Sequence, residues 1–479
     1  MLPPQQQMLP PQQQPLQQFG SADQQFNGMA SAPGQFNGMA SAPGQFNGMA
    51  TAPSNFAGQN AFASSAGTAP WNLLGGQSPD VSGHGGMAAQ NGQMALHTAP
   101  AMLQPPPLPP PAAPPIRGIP NQPGHGVPIN FEPPRVGLQN INNTCYMNSF
   151  IQALYMTNSF VSDIYNFNMT LKKNPSKVDI EDFELGNKLI SLMQRHLAKM
   201  LLTRHPHTDI AQLLDGFPDI YRSGEQQDVT ETIRFVFDKF GGQEQALIRD
   251  TFAGELKENT QCQVCGNVRG RPETFCDLIL KVPSEDAVMR SGMLPNTQAL
   301  LNQRLQFELM DDENLLFCEK CQKNTKAGKW CEIISPPAHL CICLNRFAYD
   351  IQKQDFTKEK TPISIDGTLQ IGPFLYDLYM VIVHTGKDAA SGHYYAIGSR
   401  AEVTEAERSH NQRRWVVMDD SQVKPADMTL LSGVNNEKKD DTPYVLFYRC
   451  QQAPLTPQAM LPKMLVDDVM REDAQIVIS

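Results

Sequence analysis

The chain has 479 residues, with 38 basic and 48 acidic side chains and a net charge of −10. That length holds two or three domains, and the acidic balance argues against nucleic acid as the main partner, because phosphate contacts need a Lys/Arg surplus on some face. No apolar run approaches the roughly 18 residues of a membrane-spanning helix, so no membrane association is expected.

Residues 1–131 carry only three charged side chains, Asp23, Asp80 and Arg117. The opening Met-Leu-Pro-Pro-Gln-Gln lacks the charged and apolar regions of a secretory leader. Three ten-residue copies, QQFNGMASAP at 24–33, GQFNGMASAP at 34–43 and GQFNGMATAP at 44–53, dominate the stretch. One Phe per ten residues cannot offset the ordering entropy of its neighbours, so 1–134 is expected to be a disordered Gln/Pro/Gly/Met-rich arm. PPPLPPPAAPP at 105–115 favours polyproline II. It reads first as a stiff spacer and second as a ligand for a proline-motif-binding partner.

From about Arg135 the texture becomes that of a folded domain, expected over 135–450. CYMNSFIQALYM at 145–156 spaces its apolar groups as a half-buried helix does. Residues 183–202 and 228–240 also read as helices. After 250 the pattern shifts to strands: DLILKVP at 277–283, HLCICLNRF at 339–347, YDLYMVIVH at 376–384, HYYAIGS at 393–399, RWVVMDD at 414–420 and TPYVLFYR at 442–449. Helices followed by strands imply an α+β domain with an antiparallel sheet. The remainder, 451–479, reads as a short tail whose MLVDDVM piece is too brief to be a domain.

Cys145 opens the first of these helices, with Asn143 and Thr144 placed as N-cap residues. A thiol there lies at the positive end of the helix dipole, which favours the thiolate. Asn140, five residues upstream, is placed to turn an amide N–H₂ toward a developing oxyanion beside the Cys145 N–H. Taken alone, Cys145 reads first as a small buried apolar side chain. His393, at the start of an aromatic strand, supplies the base that a lone cysteine lacks. Asp419 and Asp420 end a strand that can lie beside it, where a carboxylate is expected to hold the imidazole Nδ1–H.

Ten cysteines in a chain with no export signal are expected to be reduced, in a protein of the cytoplasm or nucleus. Cys262 and Cys265 form one Cys-x-x-Cys, and Cys318 and Cys321 another. Two such knuckles supply a closed tetrahedral Cys₄ site for one structural zinc ion, with no catalytic cofactor implied. Cys276, Cys331, Cys341, Cys343 and Cys450 read as core or strand thiols.

The ordered motifs GLQNINNTCYMNSFIQAL, SGEQQDVTE, FAGELKENTQCQVC, FCDLILKVP, LCICLNRFAYD, SGHYYAIG, WVVMDDSQV and YVLFYR resemble those of the ubiquitin-specific proteases, the deubiquitinating cysteine peptidases also called ubiquitin carboxyl-terminal hydrolases. The resemblance covers 135–450. It implies a papain-like fold with a helical thumb, a β palm and fingers, the zinc-bearing fingers spanning about 252–335. It implies hydrolysis of the peptide or isopeptide bond after the last glycine of ubiquitin, through a thioester, on ubiquitin and ubiquitinated proteins. Cys145 is then the nucleophile, His393 the base, Asp419 the orienting carboxylate, Asp420 a supporting acid and Asn140 the oxyanion donor. Gln227 and Asp228 are then contacts to the ubiquitin tail. One position departs from the family: Asn142 stands where glycine is usual, three residues before the nucleophile. Asparagine is the best non-glycine tolerant of left-handed backbone, so activity is expected to survive. The alternative is a catalytically impaired ubiquitin-binding scaffold.

Overall fold

The computed structural model describes residues 126–129, 136–242, 244–310, 314–350, 355–386, 391–402, 413–426, 440–456 and 460–476. The ten-residue repeats and the proline run lie outside the described residues, as does the expected disordered arm as far as residue 125. The last part of that arm, Gly126–Pro128, is instead a strand paired antiparallel with Met460–Pro462.

The thumb is built on three helices. Cys145–Met156 starts and stops where the apolar spacing places it, but it is buried on nearly every side rather than half-buried. Its polar side chains Asn148, Ser149 and Gln152 are buried too, each donating a hydrogen bond to a backbone carbonyl, which offsets part of the cost of enclosing them. The long helix Lys177–Leu202 begins six residues before the expected 183. A capping box sets that start: Ser176 Oγ accepts from the Asp179 N–H while Asp179 reaches back to the Ser176 N–H. Val229–Lys239 is capped by Asp228.

The palm is an eight-stranded sheet. Its strands run in the order Gln422–Ala426, Trp415–Asp419, His393–Gly398, Phe374–Thr385, Asp441–Cys450, His339–Asn345 and Leu278–Lys281, with Thr368–Ile371 also paired to the start of Phe374–Thr385. The two strands expected to carry His393 and Asp419 are neighbours, in register Ala396 to Met418. One correction applies to the expected antiparallel sheet: Leu278–Lys281 joins His339–Asn345 in parallel, since the long connection between them, which carries helix Thr297–Leu305 and the second half of the fingers, leaves room for a crossover rather than a hairpin. Along Phe374–Thr385, Met380 and Ile382 face the thumb cluster while Val381 and Val383 face a second cluster that includes Leu300 and Leu301 of the helix Thr297–Leu305. Burial on both faces is why this segment reads as an unbroken apolar run.

The fingers are a smaller antiparallel sheet of Val268–Phe275, Gly254–Cys262, Ala327–Ser335 and Glu308–Leu309, with a hairpin of Leu316–Cys318 and Lys323–Thr325 at the tip. The tail after Cys450 also folds. Helix Lys463–Ile476 lies against Lys177–Leu202 and buries Val469. Among the described residues, no helix is long and apolar enough to cross a membrane.

Candidate active site

Three segments meet where the helices join the palm. The first is the loop into Cys145. Asn142 (φ 51°) and Asn143 (φ 65°) both take left-handed backbone, so asparagine supplies the geometry a glycine would at 142. Neither expected cap acts as one. Asn143 Nδ2 donates to the Gly224 carbonyl (2.9 Å), and the Thr144 hydroxyl accepts from the Ile141 N–H behind it (2.9 Å). Among the described residues no side chain caps the helix start, and its positive end lies at the thiol. Cys145 itself is 2% exposed.

The second segment brings His393. Its Nε2 lies 2.7 Å from Asp419 Oδ1, and its ring also hydrogen-bonds the Cys145 thiol. The nitrogen held by the carboxylate is thus Nε2, not the expected Nδ1, and Nδ1 is left to meet sulfur. The reason lies in the register: Asp419 is across the sheet on the neighbouring strand, so the ring bridges carboxylate and helix with its two nitrogens. The His393 pKa is pushed up to about 10, first by the hydrogen bond its ring donates to Asp419 and then by its hydrogen bond with Cys145, against partial desolvation. The Asp419 carboxylate thus favours the ring's charged form, the form it reaches on taking up a proton.

The third segment is the Asp420–Ser421 turn that links strand Trp415–Asp419 to Gln422–Ala426. Asp420 has φ 48° and serves less as a second acid than as a junction. Its Oδ2 accepts from Asn140 Nδ2 (2.9 Å), its Oδ1 from Asn148 Nδ2 (2.8 Å) and its backbone carbonyl from the Leu138 N–H (2.8 Å). It stands 4.0 Å from His393 Nε2. Gly137 is required here, because a β-carbon on it would sit 2.3 Å from the Ser421 carbonyl carbon and oxygen. Asn140 gives one amide hydrogen to Asp420, while its Oδ1 accepts from the Thr144 N–H (3.0 Å), so one amide hydrogen remains for the site.

Cys145, His393, Asp419, Asp420 and Asn140 therefore converge. Gln227 and Asp228 are engaged within the chain. Gln227 is buried with Nε2 donating to the Glu225 carbonyl (3.3 Å). Asp228 accepts from the Thr230 N–H and hydroxyl (2.6 and 2.7 Å) and from the Tyr444 hydroxyl (2.6 Å). Sequence reasoning missed Asn148. Its signal was a polar amide on the helix one turn past the thiol, at a position that the apolar pattern passes over.

Cys262, Cys265, Cys318 and Cys321 cluster at the finger tip, every Sγ within 4.8 Å of the others. The closest pairs are Cys265–Cys318 at 3.6 Å and Cys262–Cys321 at 3.9 Å. A tetrahedral site with Zn–S of about 2.3 Å needs sulfurs about 3.8 Å apart, so the donor set fits a zinc-sized ion. The Thr325 hydroxyl and nearby backbone N–H groups draw the Cys262 thiol down to about 6. The hydrogen bond of Cys265, together with the other thiols and burial, pushes Cys321 up to about 12. Four thiols crowded without a cation resist becoming thiolates together.

The sequence pattern of the ubiquitin carboxyl-terminal hydrolase family matches residues 136–448. Ubiquitin carboxyl-terminal hydrolase 25 of Arabidopsis thaliana is 26% identical, over 68% of this chain and 49% of its own length. Ubiquitin carboxyl-terminal hydrolase 40 of Homo sapiens is 29% identical, over 54% of this chain and 22% of its own. Ubiquitin carboxyl-terminal hydrolase 17-like protein B of Mus musculus is 25% identical, over 66% and 64%. The chain thus spans about half or less of the first two and under two thirds of the third. Among solved structures, the SAGA Ubp8/Sgf11/Sus1/Sgf73 DUB module bound to ubiquitin aldehyde contains a chain that matches with a TM-score of 0.52 at 18% identity, over 67% of this chain and 70% of that one.

Proposed function

The chain belongs to the ubiquitin carboxyl-terminal hydrolase family, and from that premise we propose that it is a thiol-dependent deubiquitinase that frees ubiquitin from conjugated proteins. The observation that carries the reading is the contact chain Asp419–His393–Cys145 at the start of a helix. In this mechanism His393 Nδ1 takes the Cys145 proton, and the sulfur attacks the carbonyl carbon of the terminal glycine of ubiquitin. The oxyanion is met by the free amide hydrogen of Asn140 and the Cys145 N–H. The C–N bond then breaks, and the amine leaves with the proton from His393. Water, deprotonated by His393, hydrolyses the thioester, releasing the ubiquitin carboxylate and restoring the thiol. Asp419 holds the ring and favours its charged form throughout.

Zinc in the finger cluster would have four protein ligands and no open position, hence a structural role. Gln227 and Asp228 flank the path of the ubiquitin tail in this reading, with Asp228 supplying negative charge toward a basic tail.

A ubiquitin probe with a C-terminal electrophile tests the proposal. Wild type is expected to gain the mass of one ubiquitin at Cys145, and Cys145→Ala to gain none. A wild type that binds the probe without an adduct, or an adduct formed by Cys145→Ala, overturns it.

A further inference from the structure

We propose that Asn148 is a positioning residue for this hydrolysis, clamping the nucleophile helix to both the Asn140 loop and the Asp420 turn. The proposal rests on the reading that Cys145 hydrolyses ubiquitin conjugates. Asn148 stands three residues past Cys145, on the same face of the helix, and is 2% exposed. Its Nδ2 meets three acceptors: Asp420 Oδ1 at 2.8 Å, the Leu138 carbonyl at 3.1 Å and the Gln139 carbonyl at 3.4 Å. Because all three are acceptors, only the nitrogen can face them, and the amide orientation follows from chemistry. Its Oδ1 has no partner among the described residues. The polar role of this side chain is donation alone.

These contacts close a circuit. From the helix, Asn148 donates to one oxygen of Asp420, and the other oxygen accepts from Asn140 Nδ2. Asn140 Oδ1 in turn accepts from the Thr144 N–H, which returns the circuit to the start of the same helix. Asn140 therefore has its amide plane set by two contacts, one of which depends on Asp420. Removing Asn148 strips Asp420 of one of its two side-chain donors. Asp420 is then free to turn toward His393, 4.0 Å away, and Asn140 loses its fixed partner. Gln152, one turn further on, offers the contrast. It is equally buried and donates to the Val136 carbonyl (2.9 Å), but has no tie to Asp420.

The experiment compares wild type, Asn148→Ala, Asn148→Asp and Gln152→Ala as full chains on a ubiquitin C-terminal fluorophore conjugate, well below each unfolding midpoint. Asn148→Ala is expected to lower kcat about 100-fold with KM within about twofold, as misplacement near reacting atoms does. Asn148→Asp keeps the shape but turns an acceptor on one carboxylate and two carbonyls, and is expected to lose more. Gln152→Ala is expected to lower the unfolding temperature and keep kcat within about threefold. If Asn148→Ala does not fold, Asn148→Ser, which keeps one donor, carries the same comparison with a smaller loss. Wild-type kcat in a folded Asn148→Ala, or an equal kcat loss in Gln152→Ala, overturns the positioning role alone. Absence of turnover and of probe adduct in wild type overturns the hydrolase reading and this proposal with it.

Discussion

At the seam of thumb and palm one thiol, Cys145, meets an imidazole; at the finger tip four thiols meet one another. Cys145 sits within the larger apolar cluster, and its neighbours Asp419, Asp420, Asn140 and Asn148 are tied by hydrogen bonds between elements that packing already holds. The tip has no such support. Val268–Phe275 is exposed at seven of its eight positions, and the hairpin buries only Cys318 and Thr325. The same side chain thus does opposite work. With one basic partner and a core behind it, sulfur is available to react. With three other sulfurs and little core, it is available to hold a cation that replaces the missing packing.

Two substitutions should separate these regions, and they carry the largest effects. Cys145→Ala is expected to lower turnover by about 10⁴-fold or more while metal content and unfolding temperature stay near wild type. Cys262→Ser is expected to take zinc from one per chain to none, since a structural site contributes on the order of 10 kcal/mol to the segment it folds. Hydrogen exchange should then accelerate over 254–275 and 316–335, while a small alkylating reagent still modifies Cys145. Metal analysis, exchange and alkylation read the three outcomes. If Cys262→Ser also abolishes alkylation of Cys145, the two regions are one cooperative unit and the contrast between them fails.

A smaller effect probes the seam alone. Asp419 is the leading cause of the raised His393 pKa. A group whose folded pKa exceeds its unfolded value stabilises the fold below the unfolded value, near 6.5 for histidine. That contribution is lost as pH rises through the folded value, here about 10. Asp419→Asn should lower the His393 titration midpoint seen by NMR, move the loss of stability to lower pH, and reduce kcat about 10²- to 10⁴-fold. An unchanged midpoint would mean that Asp419 does not govern the ring. No comparable shift is expected in Cys262→Ser, whose ligand cluster belongs to the fingers.

How much of this could be read beforehand differs between the regions for physical reasons. The Cys₄ set was legible because metal ligands repeat at short local spacing, and the palm strands because burial on both faces leaves unbroken apolar runs such as Tyr379–Val383. The Cys145, His393 and Asp419 motifs stood out, but which imidazole nitrogen meets the carboxylate is decided by cross-strand register. Asp420 and Asn148 as a junction depend on a left-handed turn residue and on the approach of Leu138, neither of which leaves a periodic trace. The first turns of Lys177–Leu202 were missed because Val178 and Ile180 are exposed there and the apolar stripe starts later. The Ser176–Asp179 box was the available signal.

The tail after Cys450 gives the smallest and most local prediction. MLVDDVM was too brief to read as a domain, yet it forms half of a helix that docks on Lys177–Leu202. Val469 is 1% exposed, Glu472 pairs with Arg195, and Asp473 accepts from the Thr203 hydroxyl (2.7 Å). Asp473 also lies 3.7 Å from His205, beside the strand His207–Thr208 that pairs with Gly137–Leu138 ahead of Asn140. The contact is a clasp on the rear of the seam, and its strength comes from the apolar seat rather than the partly exposed ion pair. Val469→Ala should therefore cost about 1–2 kcal/mol locally, seen as faster exchange over 460–476 and 203–208. Arg195→Ala should cost less than about 1 kcal/mol. If either substitution lowers kcat as much as Asp419→Asn does, the clasp reaches the seam through 203–208 and 137–140, and the boundary drawn between support and chemistry has to move outward to the tail.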